Sequence, residues 1–148
     1  MVERKLLDKF FKLHSITGLT ASSGSRIFAV VSSETFKEKG GNFNTSLQVY
    51  ETETGKKILE IAGEGKHLSL PAISHDGKRI AYQYKNGDET GITFRNIMQD
   101  SREIPENISL GAAVHGIQFT SAGDILFSME ESEDPVLKKR KKEGLILF

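Results

Sequence analysis

Residues 71–83 read Pro71-Ala-Ile-Ser-His-Asp-Gly-Lys-Arg-Ile-Ala-Tyr-Gln83. A short apolar run enters, Asp76-Gly77 turns the chain, and an alternating apolar run leaves. Asp-Gly between two such runs is the sequence signal of a tight hairpin, because glycine and aspartate tolerate positive φ. Two other stretches share the pattern. Gly18-Leu-Thr-Ala-Ser-Ser-Gly-Ser-Arg-Ile-Phe-Ala-Val30 turns at Gly24, and Gly116-Ile-Gln-Phe-Thr-Ser-Ala-Gly-Asp-Ile-Leu-Phe-Ser128 turns at Gly123. The three glycines stand 53 and 46 residues apart. A period near 40–50 residues in a strand-rich chain is that of propeller blades, four antiparallel strands to a blade.

Working outward, further β-forming runs fill the frame: Arg26–Val31, Ser46–Tyr50, Lys57–Ile61, Arg79–Tyr84, Ile92 to Ile97, Ile125–Met129 and Leu145–Phe148. The first blade takes strands at about 16–22, 26–33, 45–51 and 56–62. The second takes about 69–74, 79–85, 91–97 and 101–105, and the third about 116–120, 124–130 and 144–148. The expected fold is all-β, an incomplete propeller of about three blades (about 16–62, 69–108 and 116–148) over residues 15–148. Residues 1–14 precede it as a short amphipathic helix, with Val2, Leu6, Phe10 and Leu13 on one stripe and Leu7 and Phe11 beside it. Propellers escape exposed sheet edges by closing a ring of typically 4–8 blades. Fewer than three blades leave apolar faces in water at about 25 cal/mol per Å². The chain therefore reads as a truncated piece or as something completed by association. A small closed sandwich of about ten strands is the competing architecture.

Composition narrows function by exclusion. The 148 residues carry 20 Lys plus Arg against 20 Asp plus Glu, a formal net charge of zero. That balance gives no global electrostatic case for nucleic acid or an anionic membrane. There is no cysteine, so disulfides, thiol catalysis and cysteine-based zinc sites are excluded. Lys9 and Lys12 interrupt the apolar start, and no window approaches the roughly 20 apolar residues of a membrane span. The expectation is a soluble cytoplasmic protein.

Motifs that carry chemistry are sparse. His14, His67, His75 and His115 show no metal-ligand spacing. Ser22, Ser23 and Ser74 read as turn formers, although a Ser-His-Asp set can assemble in space without a sequence signal. Gly40-Gly41 and Gly63-Glu-Gly65-Lys66 lack the phosphate-cradling pattern and read as loops. Lys138-Lys-Arg-Lys-Lys142 is the one basic run. Glu130, Glu131, Glu133 and Asp134 offset it, and no aromatic residues interleave with it as base stacking requires. It reads as a solvated loop, as does the charged stretch 34–45. No catalytic, cofactor-binding or metal-binding residue is assigned, and no cofactor is expected.

The 71–82 stretch resembles the blade motif W-S-P-D-G-K-x-I-A-F/Y of bacterial and archaeal propellers, with Ile73 in place of the aromatic and His75 in place of the proline. These include Tol-type periplasmic propellers and the N-terminal domains of prolyl oligopeptidase-family serine peptidases. Phe28-Ala-Val-Val-Ser32, the charged insertion from Lys37 to Asn44, and Ser46-Leu-Gln-Val-Tyr-Glu-Thr-Glu-Thr-Gly-Lys56 are similar to the first blade of the acylaminoacyl-peptidase-like members. Glu133-Asp-Pro-Val-Leu-Lys-Lys-Arg-Lys-Lys-Glu-Gly144 resembles the charged hairpin those peptidases carry before mid-propeller. The resemblance covers about residues 15–148. It implies a propeller seated over an α/β-hydrolase domain, admitting only short peptides to a Ser-Asp-His triad in that other domain. It also implies that Leu6, Leu7, Phe10 and Phe11 contact the hydrolase domain. No Gly-x-Ser-x-Gly elbow occurs in this chain, so no catalytic role carries over to any position. The implied partners are a hydrolase domain or the remaining blades. The alternative is a noncatalytic interaction module that completes itself with a second copy or another chain.

Overall fold

A computed structural model describes residues 14–34, 44–98 and 104–130. These residues are all-β, with no helix among them. Ten strands form three antiparallel sheets. The first holds β1 (His14–Ala21), β2 (Ile27–Glu34), β3 (Thr45–Glu51) and β4 (Lys57–Ala62), paired in chain order. The second repeats that order with β5 (His67–Ile73), β6 (Arg79–Asn86), β7 (Glu89–Asn96) and β8 (Glu106–Leu110). The third pairs β9 (Val114–Phe119) with β10 (Ile125–Met129). No sheet closes on itself among the described residues.

The leading hairpins of the three sheets are built alike, with the third turn one residue shorter. Ala21 pairs with Phe28 in the first, Ile73 with Ile80 in the second, and Phe119 with Ile125 in the third. Each leading strand carries a β-bulge, between Ile16 and Gly18, between Ser69 and Ala72, and at His115 opposite Ser128 and Met129. Bulges re-aim a side chain and tighten the local twist. In the second sheet the bulge holds Leu70 at φ 50, and its side chain packs against the core shared with the third sheet. A non-glycine residue there costs roughly 1–2 kcal/mol, so packing sustains it.

Period-2 alternation sorts each sheet into two faces. In the first, Ala29, Val31, Leu47, Val49 and Ile61 point one way and are buried. They meet Leu68, Ile73, Ile80, Tyr82 and Tyr84 of the second sheet in one core. We call these the back face of the first sheet and the front face of the second. The back face of the second, Ala81 and Ile92 with half-buried Phe94, meets Val114, Ile117, Phe119 and Ile125 on the front of the third. Neighbouring sheets approach most closely along their leading strands, β1 to β5 and β5 to β9.

Several expectations are adjusted. The fourth strand of the second sheet spans Glu106–Leu110; of the expected 101–105, Ile104 and Pro105 are not in a strand and 101–103 lie outside the described residues. Pro105 has no N–H to give a ladder, and Ile104 is 85% exposed, so pairing starts only after the proline. Asp76-Gly77 does not form a two-residue hairpin. Only Gly77 takes positive φ, at 72°, and the turn runs through Ser74–Lys78. His14, expected at the helix end, opens β1. The rest of the expected helix, the loop 35–43, the basic run 138–142 and the expected strand 144–148 lie outside the described residues.

Candidate functional site

The three Gly-centred turns converge at one end of the leading strands. Each is closed by the same backbone bond: Ser22 N–H to Ile27 O at 3.1 Å, Ser74 N–H to Arg79 O at 2.9 Å, and Thr120 N–H to Asp124 O at 2.8 Å. Gly77 and Gly123 donate to Ser74 O and Thr120 O and take positive φ. In the second and third turns the hydroxyl residue at the entry position satisfies a turn amide. Ser74 Oγ accepts from the Arg79 amide at 2.9 Å and Thr120 Oγ1 from the Asp124 amide at 3.1 Å.

The first turn locks onto the second. Ser22 Oγ lies 3.0 Å from Ser74 O and 3.1 Å from His75 O, one buried hydroxyl proton shared between two carbonyls. Ser23 Oγ sits 2.8 Å from His75 Nδ1. Gly24, whose φ is not positive, is a glycine for a steric reason. A Cβ there would lie 2.4 Å from His75 O.

Between the turns lies an open cleft of about 390 Å³, lined by Thr20, Ala21 and Ser23 from the first repeat, Ala72, Ile73 and His75 from the second, and Ile117–Ser121 from the third. Its lining is hydroxyl, amide and apolar, including the Phe119 ring, with His75 as its one titratable side chain. Ser23 and His75 have the spacing of a nucleophile and its base. A working pair also needs a third group to orient the imidazole and a donor set for an oxyanion. The adjacent carboxylate is occupied elsewhere. Asp76 Oδ1 accepts from Ser74 Oγ at 2.6 Å and from the Lys78 amide at 3.0 Å. The Ser74 hydroxyl first, and the Lys78 amide second, hold the Asp76 carboxyl below its ordinary range. Asp76 is thus a turn-stabilising acceptor. What the arrangement does is fasten two repeats together.

The other expected residues are dispersed. His67 opens β5, and His115 lies 3.6 Å from exposed Glu130. No cluster of three or more metal-ligating side chains occurs among the described residues. Gly63–Lys66 forms the tight turn between β4 and β5. Thr45 Oγ1 donates to Lys66 O at 3.0 Å and accepts from the Leu68 amide at 2.9 Å, tying the first sheet to the start of the second. No helix among the described residues is long and apolar enough to cross a membrane. The Ser23–His75 contact escaped the sequence reading because its partners are 52 residues apart. Aligning the three turns on Ser22, Ser74 and Thr120 was the signal that could have found it.

No protein-family model matches the sequence, and no curated protein matches it. One solved structure with the same fold is an acylaminoacyl peptidase in complex with Z-Gly-Gly-Phe-chloromethyl ketone. It superposes with a TM-score of 0.65 at 16% identity, over 86% of this chain. The chain spans 19% of the length of that peptidase chain. At this identity the likeness is one of fold.

Proposed function

We propose that this chain is a noncatalytic propeller segment of about three blades, serving a serine hydrolase of the acylaminoacyl-peptidase type by restricting access to its active site. Its partners are an α/β-hydrolase domain and further blades, and its compartment is the cytoplasm. The supporting observation is the front-to-back stacking of three equivalent sheets along their leading strands, in the fold of one fifth of a peptidase chain. Catalysis by the segment itself is disfavoured by the environment of Ser23 and His75, where Asp76 is committed to Ser74 and Lys78. Incubation of the chain with acetyl-amino-acid chromogenic substrates is expected to give no turnover above buffer, and a fluorophosphonate probe is expected to leave Ser23 unlabelled. Turnover abolished by a serine-directed inhibitor would overturn the reading.

A second reading is an interaction module completed by another chain. The observation that favours it is the exposure of Ile16 and Leu19, 71% and 69%, on the leading strand of the first sheet.

A further inference from the structure

Structural equivalence identifies what that exposed face is built to meet. Leu68, Ile73, Ile80 and Tyr82 form the covered front of the second sheet, none more than 8% exposed. The register places Ile16, Ala21, Phe28 and Val30 at the same positions in the first sheet. Phe28 stacks on Tyr50 beside them, with ring centroids 5.4 Å apart. This apolar front has no sheet against it among the described residues, whereas both other fronts are covered by the back of the preceding sheet.

The complementary surface lies on the third sheet. In the covered interface, Pro71 seats on Gly18, where a Cβ would stand 3.2 Å from the proline Cδ and 3.5 Å from Val31 Cβ. Gly18 pairs with Val31, and at the equivalent place in the third sheet Gly116 pairs with Ser128. Gly116 thus keeps the notch of Gly18, and a Cβ there would meet only Ser128 Oγ, at 3.4 Å. Beside it Leu126, equivalent to Ala29 and Ala81, is 61% exposed. Leu19 stands where Pro71 stands one sheet later.

We infer that a second copy of this chain docks head to tail, its first sheet's front on the third sheet's back, with Leu19 of one copy seated on Gly116 of the other. The inference rests on reading the sheets as successive blades. The contact is heterologous, so repeating it continues the stack and closes a ring where the rotation allows.

Sedimentation velocity over a concentration series tests it. The wild-type chain is expected to self-associate reversibly. Leu19→Glu and Gly116→Phe are each expected to weaken association at least about tenfold, as loss of a central anchor does. Both positions face away from the chain's own cores, and circular dichroism checks that the sheets persist. The chain has no cysteine, so single-cysteine variants add a geometric readout. Mixed Leu19→Cys and Gly116→Cys chains are expected to oxidise to the heterotypic pair in preference to either homotypic one. A wild-type chain that stays monomeric overturns the inference, as does association that both substitutions leave unchanged or equal homotypic cross-linking. A monomer with no substrate turnover removes this contact and leaves the noncatalytic reading standing.

Discussion

Leu47→Ala is expected to destabilise the chain by about 2–5 kcal/mol, the range for emptying a buried leucine site that relaxes only in part. Leu47 is fully buried on the back face of the first sheet, paired with Val31 on one side and Ile61 on the other. Its neighbours are strand residues of two sheets, held by hydrogen-bond ladders, so they cannot collapse freely into the space. Domains of this size hold only about 5–15 kcal/mol in total, so the loss is a large share. Urea titration reads it as a lower midpoint at unchanged slope. Leu19→Ala is the control: that leucine is 69% exposed, and at high dilution its removal should stay within about 0.5 kcal/mol. Equal effects at the two leucines would contradict the assignment of faces.

Gly24→Ala is the second large effect, at about 1–3 kcal/mol. The added methyl would lie 2.4 Å from the His75 carbonyl oxygen and 2.6 Å from the His75 Nε2, and the backbone carbonyl cannot swing aside as a flexible side chain does. Displacing His75 also lengthens the bonds from Ser22 Oγ to two carbonyls and from Ser23 Oγ to the imidazole. Gly111→Ala meets nothing within 4 Å and is expected to be neutral. Thermal unfolding of the two variants side by side separates a turn that must be slim from one that is merely polar.

The contrast between these glycines also marks how far the sequence could be read. Alternation placed β2, β3 and β4 to within a residue or so, because their residues face a core on one side and lie more open on the other, while β6, buried on both faces, was legible as a run of β-forming residues after the turn. The Gly77 repeat was legible because positive φ selects glycine locally. Gly24 was read as the same kind of turn, yet its constraint comes from a carbonyl 51 positions away, which no local pattern encodes. Pro105 breaks the donor row of any strand drawn over 101–105, and the observed strand, Glu106–Leu110, lies wholly after it. The cleft was invisible for a related reason. Its walls come from three repeats, each contributing a few residues that are ordinary in strands and turns.

The most direct test of the architecture is a nuclear Overhauser measurement between Gly18 Hα and Pro71 Hδ protons. Front-to-back stacking predicts a strong cross-peak, since the space beside Gly18 is filled by the proline ring. Absence of that peak, together with cross-strand peaks linking β1 to β10, would mean a sheet closed on itself and would contradict the account.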